Sequence, residues 1–272
     1  MRDFRPILNI LGLLLCIESI ALLIPMLFDL INNNQDWQQF FYISCLTFLI
    51  GLVLYVGFKK ENIKINLRQA FLLTIVSWFL IALFGSLPFI YSSSSLNFTD
   101  AFFEAVSGIT TTGSTVISNL ENLSEGILIW RSLLQWFGGI GIIVLAVAIL
   151  PTLQIGGMQL LHMEQDDPYE KTLPKINKFI IEITALYAGL TVLCFFFYYI
   201  FGMNSFDSLI HCLTTISTGG FSNHSLSFGY FNSYSLENIS IIFMVLGSLP
   251  FVIFIQFIHE QKISIFKDDQ IK

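Results

Sequence analysis

The chain has 272 residues, of which 54% are hydrophobic, 15% aromatic and 12% charged. Soluble globular domains carry charge on about a quarter of their residues, so this composition excludes an ordinary soluble protein. The 28 phenylalanines exclude disorder, because such a chain gains too much by burying them. The net charge is −6, and no basic stripe interleaved with aromatic residues supports nucleic-acid binding. These figures predict an all-α integral membrane protein in contact with membrane lipid.

Six apolar runs are long enough to cross a bilayer, since a hydrocarbon core of about 30 Å needs about 20 mostly apolar residues. In chain order they cover 7–28, 40–58, 70–91, 127–150, 178–201 and 236–258. The first run follows Arg2 and Arg5, as in a signal peptide. It is too long for one, however, and no cleavage pattern follows Pro25, so we expect a retained helix.

The basic residues predict the orientation of these spans. With a cytoplasmic N-terminus, all 13 Lys and Arg residues except Arg131 fall on the cytoplasmic side, as the positive-inside rule requires. We therefore expect a multi-pass protein of the cell (inner) membrane with both termini in the cytoplasm. Arg131 begins a span, where its long side chain is expected to reach the interface.

Carboxylates collect on the opposite side of the membrane. They are Asp29, Asp36, Asp100, Glu104, Glu121, Glu125, Asp207 and Glu237. Two explanations are open. The positive-inside rule alone empties these loops of cations, or the carboxylates form an anionic vestibule that concentrates cations at an entrance.

Two stretches between spans repeat one another. A shift of 107 residues superimposes Asp100 on Asp207, Thr110 on Ser217, Thr111 on Thr218 and Gly113 on Gly220. The period is too long for a solenoid, so it indicates a duplicated membrane unit. We therefore divide the chain into three parts: an N-terminal two-helix segment (1–66), a first helix–pore loop–helix unit (67–160), and a connector with a second such unit (161–272).

The middle of each unit has features suited to an ion path. Residues 98–109 and 206–216 are too short to span a bilayer, which favours re-entrant half-helices. The Thr/Gly-rich residues after them are non-helical backbone, tolerated at membrane depth only where it is buried or lines a water-filled cavity. Such backbone supplies carbonyl oxygens that replace an ion's hydration shell. The partly negative C-terminal end of each half-helix favours cations.

Other chemistry finds little support. A phosphate cradle needs a lysine beside its glycines, and no basic residue accompanies either stretch. Gly138, Gly139 and Gly141 lie inside an apolar span, which favours helix packing through small residues. The four cysteines and four histidines lack metal-ligand spacing, and no nucleophile–base arrangement emerges. We expect neither an enzyme nor a covalent cofactor, and no metal other than a transported ion.

Three segments carry a family resemblance. They are DAFFEAVSGITTTGST (100–115), WRSLLQWFGGIGIIVLAVAILP (130–151) and HCLTTISTGGFSNH (211–224). They resemble the Trk/Ktr/HKT superfamily of potassium transporters, specifically the membrane subunit of Trk-type uptake systems. The resemblance implies a potassium selectivity filter with two parts here, which we call the first filter segment (Thr110, Thr111, Thr112 and Gly113) and the second filter segment (Ser217, Thr218, Gly219 and Gly220).

The same resemblance implies partners. Glycine at the positions of Gly113 and Gly220 goes with potassium selectivity in this superfamily, and serine with sodium-permeable relatives. A cytosolic nucleotide-binding regulatory subunit would dock on the cytoplasmic side, where residues 152–177 form a connector. Family members carry four pore hairpins around one axis, whereas this sequence has two. We therefore expect a truncated pore-forming subunit that needs a missing second half, or a homodimer.

Several side chains keep more than one interpretation. Asp100 and Asp207 are expected to cap their half-helices, and Glu104 is a candidate for the outer mouth, although nearby backbone could equally satisfy it. Glu18 lies within the first span and is either a buried structural residue or an ion relay. Two other functions also stay open: an ion-coupled secondary transporter of a small solute, and a non-conducting scaffold.

Overall fold

A computed structural model describes residues 4–59, 67–153, 172–251 and 254–255, and within these ranges the secondary structure is helical without a β-strand. The helices are α1 (Arg5–Ala21), α2 (Leu23–Ile31), α3 (Trp37–Gly57), α4 (Leu67–Gly85), α5 (Leu87–Tyr91), α6 (Phe98–Ile109), α7 (Glu125–Leu153), α8 (Thr172–Ile200), α9 (Ser205–Ile216) and α10 (Tyr234–Ser248). The all-α class is confirmed. The predicted boundary between 160 and 161 lies outside the described residues, so the division into three parts stays a prediction.

Long apolar helices make up most of the described chain. Four helical stretches of the described chain are long and apolar enough to cross a membrane, two of them made of two consecutive helices: Arg5–Ile31, Trp37–Gly57, Arg68–Tyr91 and Lys178–Ile200. Helix α7 has 29 residues, or about 43 Å at 1.5 Å per residue. Helix α3 exposes an apolar stripe at Tyr42, Leu46, Leu49, Val53 and Val56, a face suited to lipid.

Prolines break two of the predicted spans. The first is interrupted at Leu22, because Pro25 has no N–H to donate to the carbonyl of Ala21. The third is interrupted at Ser86, because Pro88, at the start of α5, has no N–H to donate to the carbonyl of Phe84. The runs predicted at 7–28 and 70–91 are therefore each two helices in sequence, α1 with α2 and α4 with α5.

The N-terminal helix pair crosses at close range. A Cβ atom at Gly12 of α1 would lie 2.6 Å from the carbonyl oxygen of Gly51 in α3. Nearby, the side chain of Asn9 donates a hydrogen bond to the carbonyl of Tyr55 at 2.6 Å. Small residues at such a crossing let two backbones approach, which packs membrane helices tightly.

Replacing Gly12 with alanine is expected to lower the free energy of unfolding by about 1–3 kcal/mol, since overpacking forces the helices apart. Gly57→Ala is the matched control, because a Cβ at Gly57 meets nothing within 4 Å. Unfolding of both variants in detergent micelles measures the difference. Equal stability of the two variants would contradict the close crossing.

The two half-helices are held in corresponding places. Helices α6 and α9 have 12 residues each, about 18 Å, and are too short to cross a bilayer. Helix α6 packs against α4 and α7, while α9 packs against α8, α10 and α7. Helix α7 therefore contacts both half-helices, and their ends meet beside it.

Candidate ion-conducting site

Asparagines begin both half-helices. The side chain of Asn97 accepts a hydrogen bond from the backbone N–H of Asp100 at 3.0 Å, and that of Asn204 accepts from Asp207 at 2.7 Å. The prediction that the aspartates are the caps is therefore wrong. Each aspartate lies three residues later and accepts a hydrogen bond from the asparagine amide, at 2.7 and 2.9 Å. This reciprocal pair resembles a capping box.

The half-helices also end alike, in a Schellman motif. After α6, the N–H of Thr111 donates to Gly108 and that of Thr112 to Ser107, both at 2.9 Å. After α9, the N–H of Thr218 donates to Thr215 at 3.0 Å and that of Gly219 to Thr214 at 2.9 Å. These bonds turn the N–H groups of both filter segments back toward the helix ends.

The backbone of the filter segments alternates in handedness. Thr111 and Gly113 have φ of 54° and 77°, and their counterparts Thr218 and Gly220 have 53° and 81°. The residue between each pair, Thr112 or Gly219, lies outside this left-handed region. A β-branched residue at positive φ is a rare and strained conformation, of order 1–3 kcal/mol, and such strain clusters at functional sites.

The carbonyl groups of these segments accept no hydrogen bond from the described residues. Among the hydrogen bonds of the described residues, none ends on a carbonyl oxygen of 110–113 or 217–220. The Thr110 hydroxyl instead donates to the carbonyl of Val106 at 2.7 Å and contacts the Thr112 hydroxyl at 2.8 Å. Carbonyl oxygens without a hydrogen-bond donor can coordinate a dehydrated cation.

The two filter segments touch on one side only. A Cβ at Gly113 would overlap the carbonyl oxygen of Gly219. A Cβ at Gly220 meets nothing within 4 Å, and a cavity of about 570 Å³ lies there, lined by residues that include Thr218 and Val245. Within the described chain, Gly113 of the first segment thus packs against the second segment, whereas the equivalent Gly220 of the second segment faces an open flank.

Helix α7 supports both segments through small residues. A Cβ at Gly138 would overlap the carbonyl oxygen of Ile109, and one at Gly139 would lie 3.0 Å from the Cβ of Ser217. Helix packing through these two glycines is therefore confirmed. Gly141 differs, since its Cβ would meet no described atom within 4 Å.

Glu104 and Arg131 form a buried ion pair. Their side chains are 0% and 1% exposed, and the Arg131 Nε lies 2.8 Å from the Glu104 Oε1. The carboxylate also accepts hydrogen bonds from the Thr115 hydroxyl at 2.9 Å and the Val116 N–H at 3.0 Å. Arg131 therefore lies inside the protein, whereas it was expected at the membrane interface. Glu104 is satisfied in part by backbone, which is one of its two interpretations, and a place for it at the outer mouth stays a prediction.

Half of the predicted vestibule is likewise structural. Asp29, Asp36, Glu104 and Asp207 are all at most 8% exposed, because each accepts hydrogen bonds from neighbouring elements. Asp29 accepts from the Gly126 N–H at 2.8 Å, and Asp36 from the Ser93 N–H at 3.0 Å. In the loops that follow the filter segments, the N–H and hydroxyl of Ser225 donate to Glu121 and hold the pKa of that carboxyl below its usual range.

Other predicted positions are inside the protein or outside the described ranges. Glu18 is buried, and its carboxylate oxygens have no hydrogen-bond partner in the described part of the chain. Most of the connector at 152–177 lies outside the described residues. Within them, no group of three or more His, Cys, Asp or Glu side chains comes together as a metal site.

Sequence reasoning missed Gln135, which is fully buried beside the second filter segment. Its side-chain carbonyl accepts a hydrogen bond from the Phe221 N–H at 3.1 Å, and a Cβ at Gly219 would overlap it. A signal was present, because Gln135 follows Arg131 by four residues and so lies on the same helix face.

Long apolar helices around two short half-helices, each followed by a Thr/Gly-rich segment, define a membrane protein of the pore-hairpin class. The chain belongs to the TrkH family of cation transport proteins, which matches residues 36–272. The family is one of transporters, and its membrane location agrees with the apolar helices. These findings confirm the resemblance seen in the sequence.

Relatives match nearly the whole chain. It is 36% identical over 273 residues to the Trk system potassium uptake protein TrkI of Halomonas elongata, covering 100% of this chain and 56% of that protein. It is 38% identical over 269 residues to TrkH of Escherichia coli K12, covering 98% and 56%. The crystal structure of the potassium transporter TrkH from Vibrio parahaemolyticus superimposes with a TM-score of 0.84 at 35% identity, over 94% of this chain and 52% of that one. The chain thus spans about half the length of these relatives.

Proposed function

We propose that this chain forms half of a potassium-conducting pore, in which both filter segments coordinate dehydrated potassium through their backbone carbonyls. The observation that carries the proposal is the matched geometry of the segments: φ of 54° and 77° in one, 53° and 81° in the other. Their carbonyls accept no hydrogen bond from the part of the chain that the structure describes. The names of the relatives, potassium uptake proteins and a potassium transporter, supply the ion. Potassium is the cargo, and no covalent cofactor takes part.

The open flank beside Gly220 supports an incomplete pore. The first segment has the second as its neighbour, whereas the second faces a cavity of about 570 Å³ within the described chain. A ring of carbonyls around an ion needs further segments there. Two more hairpins, from a second half or from a second copy of this chain, would complete the ring.

The proposed orientation places both termini in the cytoplasm. Arg5 begins α1 and Lys59 follows α3, and the packing of Asn9 on Tyr55 brings those helix ends to one side of the bundle. Clustering of basic residues at one side favours the cytoplasm. A cytosolic nucleotide-binding subunit would attach on that side, and ions would enter from the side of the filter loops.

Potassium uptake in transport-deficient cells tests the proposal. Three strains are compared: one with this chain alone, one with a second chain that supplies two further pore hairpins, and one with both. Growth at low potassium and uptake of rubidium are measured, with membrane insertion verified in each strain. Rescue by both chains together, or by this chain as a cross-linkable dimer, supports the proposal.

Two outcomes would contradict it. If neither combination restores uptake although both chains reach the membrane, the chain is a scaffold and not half of a pore. Saturable uptake of an organic solute that ignores substitutions in the filter segments would favour a secondary transporter instead.

A further inference from the structure

Arg131 on α7 contacts both pore hairpins at once. Besides its pair with Glu104 of the first half-helix, it donates from Nη2 to the Thr115 hydroxyl at 3.1 Å. From Nη1 it donates to the carbonyl of Ser222, which follows the second filter segment, at 2.9 Å. The guanidinium also lies 4.2 Å from the ring centre of Phe221. One side chain therefore joins the outer ends of both filter segments.

The points that Arg131 holds are equivalent in the two hairpins. The shift of 107 residues places Glu104 on His211 and Thr115 on Ser222. In each hairpin the half-helix residue hydrogen-bonds the residue two after the filter glycine. The Thr115 hydroxyl lies 2.9 Å from Glu104, and the Ser222 hydroxyl 3.0 Å from the Nε2 of His211. Arg131 thus bridges two matching anchor points.

Gln135, one turn further along α7, extends this bridge to the filter itself. It accepts from the Phe221 N–H at 3.1 Å and fills the space next to Gly219. That glycine's carbonyl in turn touches Gly113 of the first segment. The contacts run from Arg131 to Phe221, from Phe221 to Gln135, and from Gln135 to Gly219, where the segments meet.

Helix α10 offers no counterpart to this bridge. Gly247 packs on the carbonyl of Ile216 as Gly138 packs on that of Ile109, so these glycines align the two helices. In that alignment Ser240 stands where α7 has Arg131, and Met244 stands where it has Gln135. Neither residue can supply a guanidinium fork, and Ser240 donates to its own helix, at the carbonyl of Glu237.

We propose that Arg131 is a positioning residue that clamps the outer ends of the two filter segments at a fixed separation and thereby sets the preference for potassium over sodium. The inference rests on the proposed function. Sodium is the smaller ion, so carbonyls free to move together coordinate it more readily, whereas segments held apart favour potassium. A guanidinium suits the role because its planar fork donates in several fixed directions, which an ammonium on a flexible stem does not.

Arg131→Lys separates clamping from charge, since lysine keeps the positive charge opposite Glu104 but loses the fork. In the assembly that takes up potassium, we expect the potassium-to-sodium permeability ratio to fall by about ten-fold, the effect of losing about one charged hydrogen bond. Arg68→Lys is the matched control, because Arg68 is exposed at the start of α4. Its permeability ratio should equal that of the unmodified protein.

Gln135→Met provides a second variant should Arg131→Lys fail to fold. It places on α7 the residue that α10 carries at the aligned position, and leaves the Phe221 N–H without its acceptor. We expect a smaller fall in the permeability ratio. A ratio unchanged in every folded variant would overturn the clamp.

Hydrogen–deuterium exchange tests the clamp without transport. Arg131→Lys should speed exchange of amides in both 110–116 and 217–223, whereas loss of the ion pair alone would affect the first range only. Faster exchange in one range or in neither contradicts the clamp. If exchange rises in both ranges while no assembly conducts potassium, the proposed function fails and the clamp stands.

Discussion

Glu104→Ala is expected to lower the free energy of unfolding by about 3–5 kcal/mol, because it leaves a buried charge without its partner. The Arg131 side chain is 1% exposed, so water cannot replace the lost carboxylate. The Thr115 hydroxyl and the Val116 N–H lose an acceptor as well. Each unsatisfied buried group adds to the loss. Denaturant or thermal unfolding in detergent measures the change.

Lys178→Ala is the control for this prediction. Lys178 pairs with Glu182 at 3.8 Å, but its side chain is 73% exposed, so its contribution is expected to be at most about 1 kcal/mol. A double variant, Glu104→Leu with Arg131→Leu, removes both charges and should be less destabilised than the sum of the single changes. Additive losses, or a loss at Glu104 no larger than at Lys178, would show that the pair is not buried and coupled.

The sequence predicts the parts of this fold that depend on local pattern. Apolar length reveals the spans, and the repeat reveals the half-helices to within one residue: 206–216 was predicted and Ser205–Ile216 is observed. The breaks at Leu22 and Ser86 could have been predicted too, because Pro25 and Pro88 remove hydrogen-bond donors inside apolar runs. The caps were also visible in the sequence, since Asn97 and Asn204 each stand three residues before an aspartate.

Tertiary pairing is what the sequence does not show. Glu104 and Arg131 lie 27 residues apart in the chain. Considered separately, Glu104 is a candidate for the outer mouth and Arg131 is expected at the membrane interface. Packing of α6 against α7 brings them together and makes the pair internal. The sequence leaves two explanations open for Asp29 and Asp36 for the same reason, because their hydrogen-bond donors, Gly126 and Ser93, belong to distant segments.

The matched backbone of Gly113 and Gly220, with φ of 77° and 81°, leads to the largest expected effect on conduction. Gly113→Ser should raise sodium permeation relative to potassium by at least ten-fold, a difference of about 1.4 kcal/mol between the ions. Two causes add together. The position has φ of 77°, which is strained for serine, and the added Cβ would overlap the carbonyl oxygen of Gly219. The displaced oxygen is one of those proposed to coordinate the ion.

Gly220→Ser separates these two causes. Its φ of 81° brings the same strain, but its Cβ meets nothing within 4 Å. In this chain by itself, Gly113→Ser should therefore destabilise more than Gly220→Ser, by the overpacking term of about 1–3 kcal/mol. In a complete conducting assembly the two should raise sodium permeation alike, because a further hairpin then packs beside Gly220. Unchanged selectivity in both variants would overturn the assignment of the filter segments. A completed ring of hairpins instead predicts two results together: the two variants differ in stability in this chain by itself, and they raise sodium permeation equally in the complete assembly.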